Sequence, residues 1–512
     1  MAQSDIMENY SKLMAKYKDL MILSSTQSIM QWDMETKMPP GAFELRSEQL
    51  SLLSRIEHKM ATDAEIGAII ERVQTNPRCP SLSELQKRNV YLFKKSYDEK
   101  TKLPERLVSE VSRQEVIAYD AWKKAKNAKS FEMLKPELTK MFELKMQTAE
   151  IFKDVKGTRT CYDAMIDIFE TKMTEEVIAR TFDQLKRGLI PIIEKCVSSP
   201  IQPDISIIKH FVPVAKQIEI SKSLAKFINY DIESSKATGR IDETEHPFTT
   251  GYYDDTRITT HYREYDFTNA LFSTLHEGGH AMYEQDLERN WMYQPVGSAC
   301  SYGVHESQSR FVENIIGRSP EFWSYYFPEL VRITGERLPG IDLARLIKAV
   351  NAVMPSKIRI DADEVTYSMH VIIRFELERE LFAGKLSIGE LPQAWNQKYS
   401  DYLGVKIDND SEGVMQDVHW SHGSFGYFPS YALGNIFSGQ ILYRMEKDMP
   451  SWRAGIANGN FLEVKKWLKK NVHLYGSLYD PLEMLVRITG EGINPQRFID
   501  YLSSKYSKLY SF

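Results

Sequence analysis

The chain has 512 residues, of which 42% are hydrophobic and 26% are charged, with a formal net charge of -5 at pH 7. This composition excludes disordered and fibrous proteins, and the mixed distribution of charge excludes the basic stripe of a nucleic-acid-binding surface. Four widely separated cysteines, with no CxxC pair, exclude a disulfide framework and a zinc finger and are typical of a reducing compartment.

No Gly/Ser-rich or Pro-rich linker, low-complexity tract or internal repeat divides the chain. Length alone suggests about three domains, but without a linker we predict a single domain over residues 1–512 with a two-lobed body. The first twenty residues have helical periodicity and lack the apolar core of a secretory signal. No run approaches the ~20 apolar residues of a membrane span. We therefore expect a cytoplasmic protein with no membrane and no nucleic-acid partner.

Apolar residues recur at i, i+3, i+4 and i+7 through most of the chain, which predicts a mainly α fold. The clearest helical segments are Glu176–Lys195, Val365–Gly384 and Pro495–Tyr506. The segment His246–Phe267 differs, because it is dense in Thr, Tyr and Ile and is punctuated by Gly251 and an Asp pair. It predicts two short strands joined by a turn, a small antiparallel sheet whose edge could bind an extended peptide.

The segment LFSTLHEGGHAMYEQ, Leu271–Gln285, is helical in pattern and carries an HExxH motif. On a helix, His276, Glu277 and His280 share one face. This spacing lets two imidazoles bind one zinc ion while the glutamate lies beside the activated water. A solvated polar stripe is the alternative interpretation of this face.

Two glycines interrupt the same helix, although each costs roughly 1 kcal/mol relative to Ala in a helix interior. We predict that Gly278 lets a neighbouring helix approach the back of the HExxH helix. We also predict that Gly279, beside the metal, leaves room for the substrate backbone.

A catalytic zinc site needs a third protein ligand and an open position. A second helical pattern, Ser301–Gly317, follows, and Glu306 in it is our choice for the third ligand. Glu313 and Glu284 are competitors, because spacing alone does not separate the three, although Glu284 better suits a carboxylate that orients a ligand. For Glu306, an i,i+4 ion pair with Arg310 is the structural alternative.

Several blocks of the sequence, in this order, resemble the carboxypeptidase Taq family of zinc-dependent metallocarboxypeptidases. The blocks are QWDMETKMPPGAFELRSEQLSLL from Gln31, HPF from His246, DTRIT from Asp255, HEGGH from His276, HESQSR from His305, IRIDADE from Ile358 and GVMQDVHWSHGSFGYFPSYALG from Gly413. The resemblance runs from about Gln31 to the carboxyl end, and several motifs in register make it more specific than HExxH alone.

The resemblance implies an all-helical body with a deep substrate groove, a small sheet beside the metal, and a homodimer. It also implies stepwise removal of carboxyl-terminal residues from peptides with broad preference. His276, His280 and Glu306 match the family's metal ligands, and Glu277 matches its catalytic glutamate. Two His and one Glu suit Zn2+, with Co2+ or Mn2+ as substitutes in vitro.

Zinc lowers the pKa of water toward ~7, so Glu277 can accept a proton and pass it to the leaving amine. The block HWSHGSFGYFPSY supplies donors for the developing oxyanion at His419, His422, Tyr427 and Tyr431. Core packing is the alternative for each of them. Similarity to related gluzincin peptidases favours Tyr427 and His419 as the catalytic pair.

An HP dipeptide precedes HExxH by about thirty residues, which is similar to the angiotensin-converting enzyme group. This similarity suggests that His246 approaches the metal. A carboxypeptidase must also bind a free α-carboxylate, for which an Arg fork is the fitting partner. Arg257 and Arg359 are the candidates, and an ion pair with Asp361 or Asp363 is the alternative for Arg359.

Two other functions remain open. One is a zinc endopeptidase or aminopeptidase, although the Gly-x-Met-Glu-Asn element of the aminopeptidases is absent from the sequence. The other is a catalytically inactive helical protein that binds peptides, against which the complete set of ligands with Glu277 argues.

Overall fold

Helices form most of the protein, as the apolar periodicity predicts. The structure is a computed structural model that describes residues 6–512, so residues 1–5 of the predicted single domain lie outside the described part. Ahead of the sheet, the described chain forms nine α-helices: α1 (Ile6–Thr36), α2 (Phe43–Ala61), α3 (Ala64–Gln74), α4 (Glu84–Thr101), α5 (Glu105–Ala128), α6 (Lys135–Lys156), α7 (Cys161–Phe169), α8 (Glu175–Ser198) and α9 (Val214–Phe227). The predicted helix Glu176–Lys195 is α8, which Thr174 caps by accepting a hydrogen bond from the N–H of Val177.

A three-stranded sheet follows α9, with β1 (Gly239–Glu243), β2 (Thr249–Tyr252) and β3 (Asp255–Thr260) in the order β1-β3-β2. β2 and β3 form the predicted antiparallel pair, but β1 pairs with β3 in parallel, so the prediction of a purely antiparallel sheet is wrong. The sequence of β1, GRIDE, hides the strand because it is short and three of its five residues are charged. Tyr230 supports this pairing from outside the sheet, because its hydroxyl donates to the carbonyl of Thr256 on β3 at 2.6 Å and accepts from the N–H of Arg240 on β1 at 3.1 Å.

After the sheet, the described chain forms eleven more α-helices: α10 (Phe267–Gln285), α11 (Tyr302–Arg310), α12 (Pro320–Thr334), α13 (Leu343–Val350), α14 (Tyr367–Phe382), α15 (Leu391–Leu403), α16 (Pro429–Asp448), α17 (Trp452–Ala457), α18 (Leu462–Asn471), α19 (Pro481–Thr489) and α20 (Gln496–Tyr510). A π-helical turn, Phe311–Ile316, continues α11. The predicted helices Val365–Gly384 and Pro495–Tyr506 are α14 and α20.

The centre of the larger hydrophobic cluster contains α14, a helix buried on nearly all sides. A helix in that position must pair its polar side chains inside the protein. Arg374 pairs with Asp417, and Glu378 accepts hydrogen bonds from the Trp420 indole at 2.7 Å and the Gly426 N–H at 2.8 Å. α14 therefore anchors the irregular segment that leads into α16.

A second, smaller hydrophobic cluster lies among α1, α3 and α4. It is built by Leu13 of α1, Ile66 and Ile69 of α3, and Val90 and Phe93 of α4. The two clusters give the fold one large and one small core. Within residues 6–512, no helix has the length and apolar character needed to cross a membrane.

Candidate metal centre

Two helices bring three metal-binding side chains together, and we call His276, His280 and Glu306 the triad. α10 presents the two histidines from successive turns and α11 presents the glutamate. The Nε2 atoms of His276 and His280 lie 3.6 Å and 3.4 Å from Oε2 of Glu306, and the ligand atoms all lie within 4.8 Å of one another. Ligands bound tetrahedrally to zinc at ~2.0–2.1 Å stand ~3.4 Å apart. The donor set therefore fits one divalent ion.

The helices that carry the triad pack closely because glycines lie at their contacts. A Cβ on Gly279 of α10 would lie 2.5 Å from the carbonyl oxygen of Gln308 and 2.7 Å from Cα of Ser309 on α11. On the opposite side, a Cβ on Gly434 of α16 would lie 2.5 Å from Cγ of Glu306. α11 is held between α10 and α16, and this fixes the position of Glu306.

This packing corrects one prediction about the two glycines. Gly279 does not leave room for a substrate backbone, because the main chain of α11 occupies that side of α10. Gly278 faces the back of α10, where a Cβ would collide with Ile228, the residue that ends α9. Gly278 thus permits the close approach of a neighbouring helix that the sequence predicts.

Glu313, a predicted competitor for the third ligand, instead contacts the outer nitrogen of His276. It lies in the π-helical turn after α11, and its Oε2 is 2.9 Å from Nδ1 of His276. Burial raises the pKa of Glu313, but the hydrogen bond to His276 and the charge of Arg310 lower it to about 2. An ionised Glu313 accepts a hydrogen bond from the Nδ1–H of His276, which leaves Nε2 free to bind an ion.

His280 has a longer chain of partners through His305, which the sequence analysis does not single out. The Nδ1 atoms of His280 and His305 are 2.5 Å apart, and Nε2 of His305 is 2.8 Å from Oε1 of Glu284. Glu284 therefore reaches a triad residue through His305 and not by its own hydrogen bond, which corrects its predicted role. The signal for His305 is its place beside Glu306 on α11.

The two oxygens of Glu306 have different neighbours. Oε1 is 2.6 Å from Nε of Arg310, which is the ion pair that the i,i+4 spacing allows, while Oε2 faces the two histidines. Burial raises the pKa of Glu306, but Arg310 and the histidines lower it well below its usual range. The ion pair and a metal-facing oxygen therefore coexist.

Glu277 lies beside the triad and is held by the sheet. The hydroxyl of Thr249 on β2 donates to Oε2 of Glu277 at 2.6 Å and lies 3.0 Å from the Glu277 carbonyl oxygen. Burial raises the pKa of Glu277, an effect that His276 and Thr249 partly oppose. The result is a fixed carboxylate with increased proton affinity next to the triad.

The segment His419–Tyr431 reaches the site with its tyrosines. Tyr427 and Tyr431 line a cavity beside the triad. His419 lies behind them, because its ring stacks on Tyr427 with centroids 5.5 Å apart and its Nε2 is 3.4 Å from the hydroxyl of Tyr431. His422 is exposed and contacts Tyr119 of α5, so the structure does not bring it to the site.

Arg359 is buried and lines the cavity on the other side of the triad. Its Nη2 is 2.9 Å from Oδ1 of Asp417 and its Nη1 donates to the hydroxyl of Tyr367 at 3.0 Å. The alternative prediction, an ion pair with Asp361 or Asp363, is wrong because the carboxylate that pairs with Arg359 is that of Asp417. The carboxylate of Asp363 instead accepts hydrogen bonds from the N–H groups of Val365 and Thr366, just before α14.

The structure places two other predicted substrate contacts away from the triad. Arg257 on β3 forms a bidentate pair with Asp255, at 2.7 Å for each bond, and lies over the ring of Trp32. The side chain of His246 is exposed, and the two residues that follow it line the cavities in its place. Neither Arg257 nor His246 lines the two cavities beside the triad.

Two cavities meet at the triad. The Arg359 cavity, of about 840 Å³, lies on one side, and the Tyr427 cavity, of about 740 Å³, lies on the other. Residues that line both are Pro247, His276, Glu277, Glu306 and Tyr431. A chain that passes from one cavity to the other crosses the triad and Glu277.

A His-His-Glu triad built on an HExxH helix, with a buried glutamate beside it and a cavity on each side, defines a helical metallopeptidase. The family model described as Carboxypeptidase Taq (M32) metallopeptidase matches residues 12–506. The chain belongs to this carboxypeptidase Taq family, which confirms the predicted family and the predicted class of enzyme, a metallocarboxypeptidase.

Individual relatives agree with the family. The chain is 38% identical over 488 residues to carboxypeptidase 1 of Bacillus subtilis (strain 168), covering 95% of this chain and 96% of the relative. It is 36% identical over 508 residues to thermostable carboxypeptidase 1 of Thermus thermophilus, covering 98% and 99%. The crystal structure of an M32 carboxypeptidase from Deinococcus radiodurans R1 superposes with a TM-score of 0.94 at 35% identity, covering 99% of this chain and 100% of that chain.

Proposed function

We propose that the protein is a zinc-dependent carboxypeptidase that removes single residues from the carboxyl ends of peptides with broad preference. The proposal is supported chiefly by Arg359, a buried guanidinium in the wall of the Arg359 cavity that shares its carboxylate partner, Asp417, with Arg374. A peptide bound across the triad with its free carboxylate at Arg359 would present its last peptide bond to Glu277.

Two buried arginines share this one carboxylate. Arg359 and Arg374 both pair with Asp417, at 2.9 Å and 2.6 Å, and Arg374 is completely buried. The remaining partners of Arg374 are neutral, namely the His370 carbonyl, the Tyr399 hydroxyl and the Gln416 amide oxygen. A buried cation without its own anion is costly, so a substrate α-carboxylate at Arg359 balances the charge.

The triad would hold the ion. Glu313 and His305, which contact the outer nitrogens of His276 and His280, orient the two imidazoles. When bound, zinc supplies Lewis acidity that activates water and polarises a carbonyl. Glu277 accepts the proton of the attacking water and returns it to the leaving nitrogen. The Tyr427 and Tyr431 hydroxyls donate to the developing oxyanion, while His419 supports them from behind.

Broad preference is supported by the character of the Arg359 cavity. Its volume of about 840 Å³ is large for one side chain, and its wall combines apolar residues such as Ile208, Phe272 and Met354 with charged residues such as Lys209 and Asp266. Such a wall offers neither a single deep apolar pocket nor one unpaired charge to select a residue. The main-chain carboxylate, and not the side chain, would therefore carry most of the recognition.

The test compares one peptide with a free and an amidated carboxyl end, with products identified by mass spectrometry over time. The proposal expects single-residue release from the free peptide, at least 100-fold slower release from the amidated one, and loss of activity with a chelator. Arg359→Met should remove this discrimination, whereas Arg257→Met, on the sheet, should keep it. Internal cleavage of both peptides at equal rates would instead establish the endopeptidase alternative.

The metal identity belongs to the same proposal. Zinc is favoured by two imidazoles and one carboxylate, and Co2+ or Mn2+ would substitute in vitro. The homodimer implied by the family resemblance and the cytoplasmic location expected from the sequence stay predictions, to be measured by sedimentation and by cell fractionation.

A further inference from the structure

We propose that the residues on the amino-terminal side of the scissile bond bind between β2 and a polar face of α1, through their main chain and with no preference for their side chains. This inference rests on the proposed carboxypeptidase function and adds a binding region to it. The site is a third cavity, of about 450 Å³, which we call the α1 cavity.

The α1 cavity continues the Tyr427 cavity. Both are lined by Phe248 and Thr249, and Thr249 is the residue whose hydroxyl holds Glu277. If the carboxyl-terminal residue occupies the Arg359 cavity, the preceding residues leave the triad through the Tyr427 cavity. Their path then leads along β2 into the α1 cavity.

β2 offers main-chain groups to this path. In the order β1-β3-β2 it is an edge strand, with no strand on its other side among the described residues. Phe248 accepts a hydrogen bond from the N–H of Thr259, so the next residue, Thr249, directs its own N–H and C=O away from β3 in the antiparallel alternation. An extended peptide can add to such an edge by main-chain hydrogen bonds alone.

The opposite wall comes from α1 and is polar without being charged over most of its length. The lining residues of α1 follow helical spacing on one face: Ser24, Gln27, Ser28, Gln31 and Glu35. Oε1 of Gln27 is buried and has no hydrogen-bond partner among the described residues. A buried acceptor without a donor is unfavourable, and because Gln27 lines the cavity, rotation of its side chain would present Oε1 to a peptide N–H there.

The chemistry of the lining identifies the occupant as peptide main chain. Apolar contact is limited to Leu50 and Phe248, so the cavity has no pocket that would select a large side chain. Its charged residues, Glu35 and Glu57, are both acidic, whereas the Arg359 cavity contains the guanidinium of Arg359. This polarity matches a peptide whose carboxylate lies at Arg359 and whose amino end points toward α1.

The experiment measures kcat and KM for amino-blocked peptides that share one carboxyl-terminal dipeptide and extend from two to six residues. Gln27→Ala should raise KM about 5-fold for the longest peptides, the size of one lost hydrogen bond, and leave the blocked dipeptide unchanged. Thr26→Ala, on the exposed face of the same helix, is the matched control and should change neither. An equal change at every length, or no change at any length, overturns the inference.

A second measurement begins with the wild-type enzyme, so its first result does not depend on the folding of a variant. Replacing one amide N–H after another by an ester oxygen in the long peptide should raise KM at the position that faces Gln27, and Gln27→Ala should cancel that increase. If ester substitution has no effect at any position, the inference fails while carboxypeptidase activity stands. If the wild-type enzyme releases no carboxyl-terminal residue from any peptide, the proposed function fails together with the inference.

Discussion

Each triad residue has its own partner on the side away from the ion position. His276 has the carboxylate of Glu313, His280 has a ring nitrogen of His305, and Glu306 has the guanidinium of Arg310. A carboxylate acceptor makes an imidazole a stronger electron donor than a ring nitrogen does. The two histidines are therefore unequal ligands, and the residues behind them become targets for mutation.

Removing His305 should weaken metal binding without touching the triad. We expect His305→Ala to lower zinc affinity about 10- to 100-fold, because Nδ1 of His280 loses its acceptor. His305→Gln keeps an acceptor oxygen and should recover part of the affinity. Chelator competition measures the affinity, and His422→Ala, on the exposed surface, is the control. Equal affinity for all four proteins would rule out the orienting role.

Glu277 should be needed for turnover but not for holding the metal. We expect Glu277→Gln to reduce kcat by about 10²- to 10⁴-fold, the usual contribution of a general acid and base. Zinc content should stay at one ion per chain, because the triad keeps all its donor atoms. Metal analysis beside steady-state kinetics checks both statements, and a variant with normal kcat would exclude Glu277 from the reaction.

Thr249 should act on the reaction through Glu277. Thr249→Val keeps the shape of the side chain and removes the hydroxyl that donates to Oε2 of Glu277. We expect kcat to fall about 5-fold or more from the loss of one hydrogen bond, with zinc affinity unchanged. Thr249→Ser should restore the rate. A defect in Thr249→Ser as large as that in Thr249→Val would mean that the methyl group, and not the hydroxyl, matters.

At the level of elements, the site depends on how closely α11 approaches α10 and α16. The approach requires Gly279 on one side and Gly434 on the other, each facing the α11 segment that carries Glu306. A side chain at Gly279 must displace the backbone of α11, and one at Gly434 must displace Cβ and Cγ of Glu306 itself. The geometry of the triad is thus a consequence of helix packing.

Gly279→Ala should therefore lower both stability and metal affinity. The added Cβ would meet the carbonyl oxygen of Gln308 at 2.5 Å, and overpacking of this kind costs roughly 1–3 kcal/mol. Gly455→Ala, inside α17, is the control because its Cβ meets only ordinary contact at 3.6 Å, and it should stabilise the fold slightly. Thermal unfolding and chelator competition measure the two effects. Normal zinc affinity in Gly279→Ala would show that α11 can shift without moving Glu306.

Local patterns in the sequence predict the helices, the β2-β3 pair and the two histidines of the triad, because each depends on spacing within a few turns or within one hairpin. Glu306 lies on another helix, and only the family resemblance separates it from Glu313 and Glu284. The pairing of Arg359 with Asp417 spans 58 residues and depends on how α14 packs, so no spacing rule reveals it. The parallel pairing of β1 with β3 passes over β2, so the spacing of a hairpin does not reveal it either. The error at Gly279 has the same origin, since which helix lies against a glycine is decided by packing.

On the scale of the whole molecule, two buried glutamates connect distant segments around the site. Glu378 on α14 accepts hydrogen bonds from Tyr162 of α7 and from the segment before α16. Glu170, just after α7, accepts from the Gly303 N–H of α11 and from the Ser430 hydroxyl of α16. Burial is the main reason that the pKa of each glutamate is raised to about 7.

These raised values predict a pH dependence of stability. In the unfolded chain both groups would titrate near the ordinary 4.5, so between pH 4.5 and 7 the folded state binds more protons than the unfolded state. Stability from each group is then fully present below pH 4.5, falls as the pH rises, and is lost above about 7. For Glu378 the loss is about 3 kcal/mol.

Glu378→Gln removes the titration, so the difference in thermal stability between wild type and variant should change between pH 5 and pH 8. With zinc saturating at both pH values, the wild type should be favoured more strongly at pH 5, because the protonated carboxyl keeps the hydrogen bonds of Trp420 and Gly426 without a buried charge. Glu380→Gln, on the same helix at a partly exposed position, is the matched control for the loss of a carboxylate. If Glu378→Gln differs from the wild type by the same amount at both pH values, the buried carboxyl keeps one protonation state across the range. The hydrogen bonds of Glu378 between α7, α14 and the segment before α16 would then contribute no pH dependence to stability.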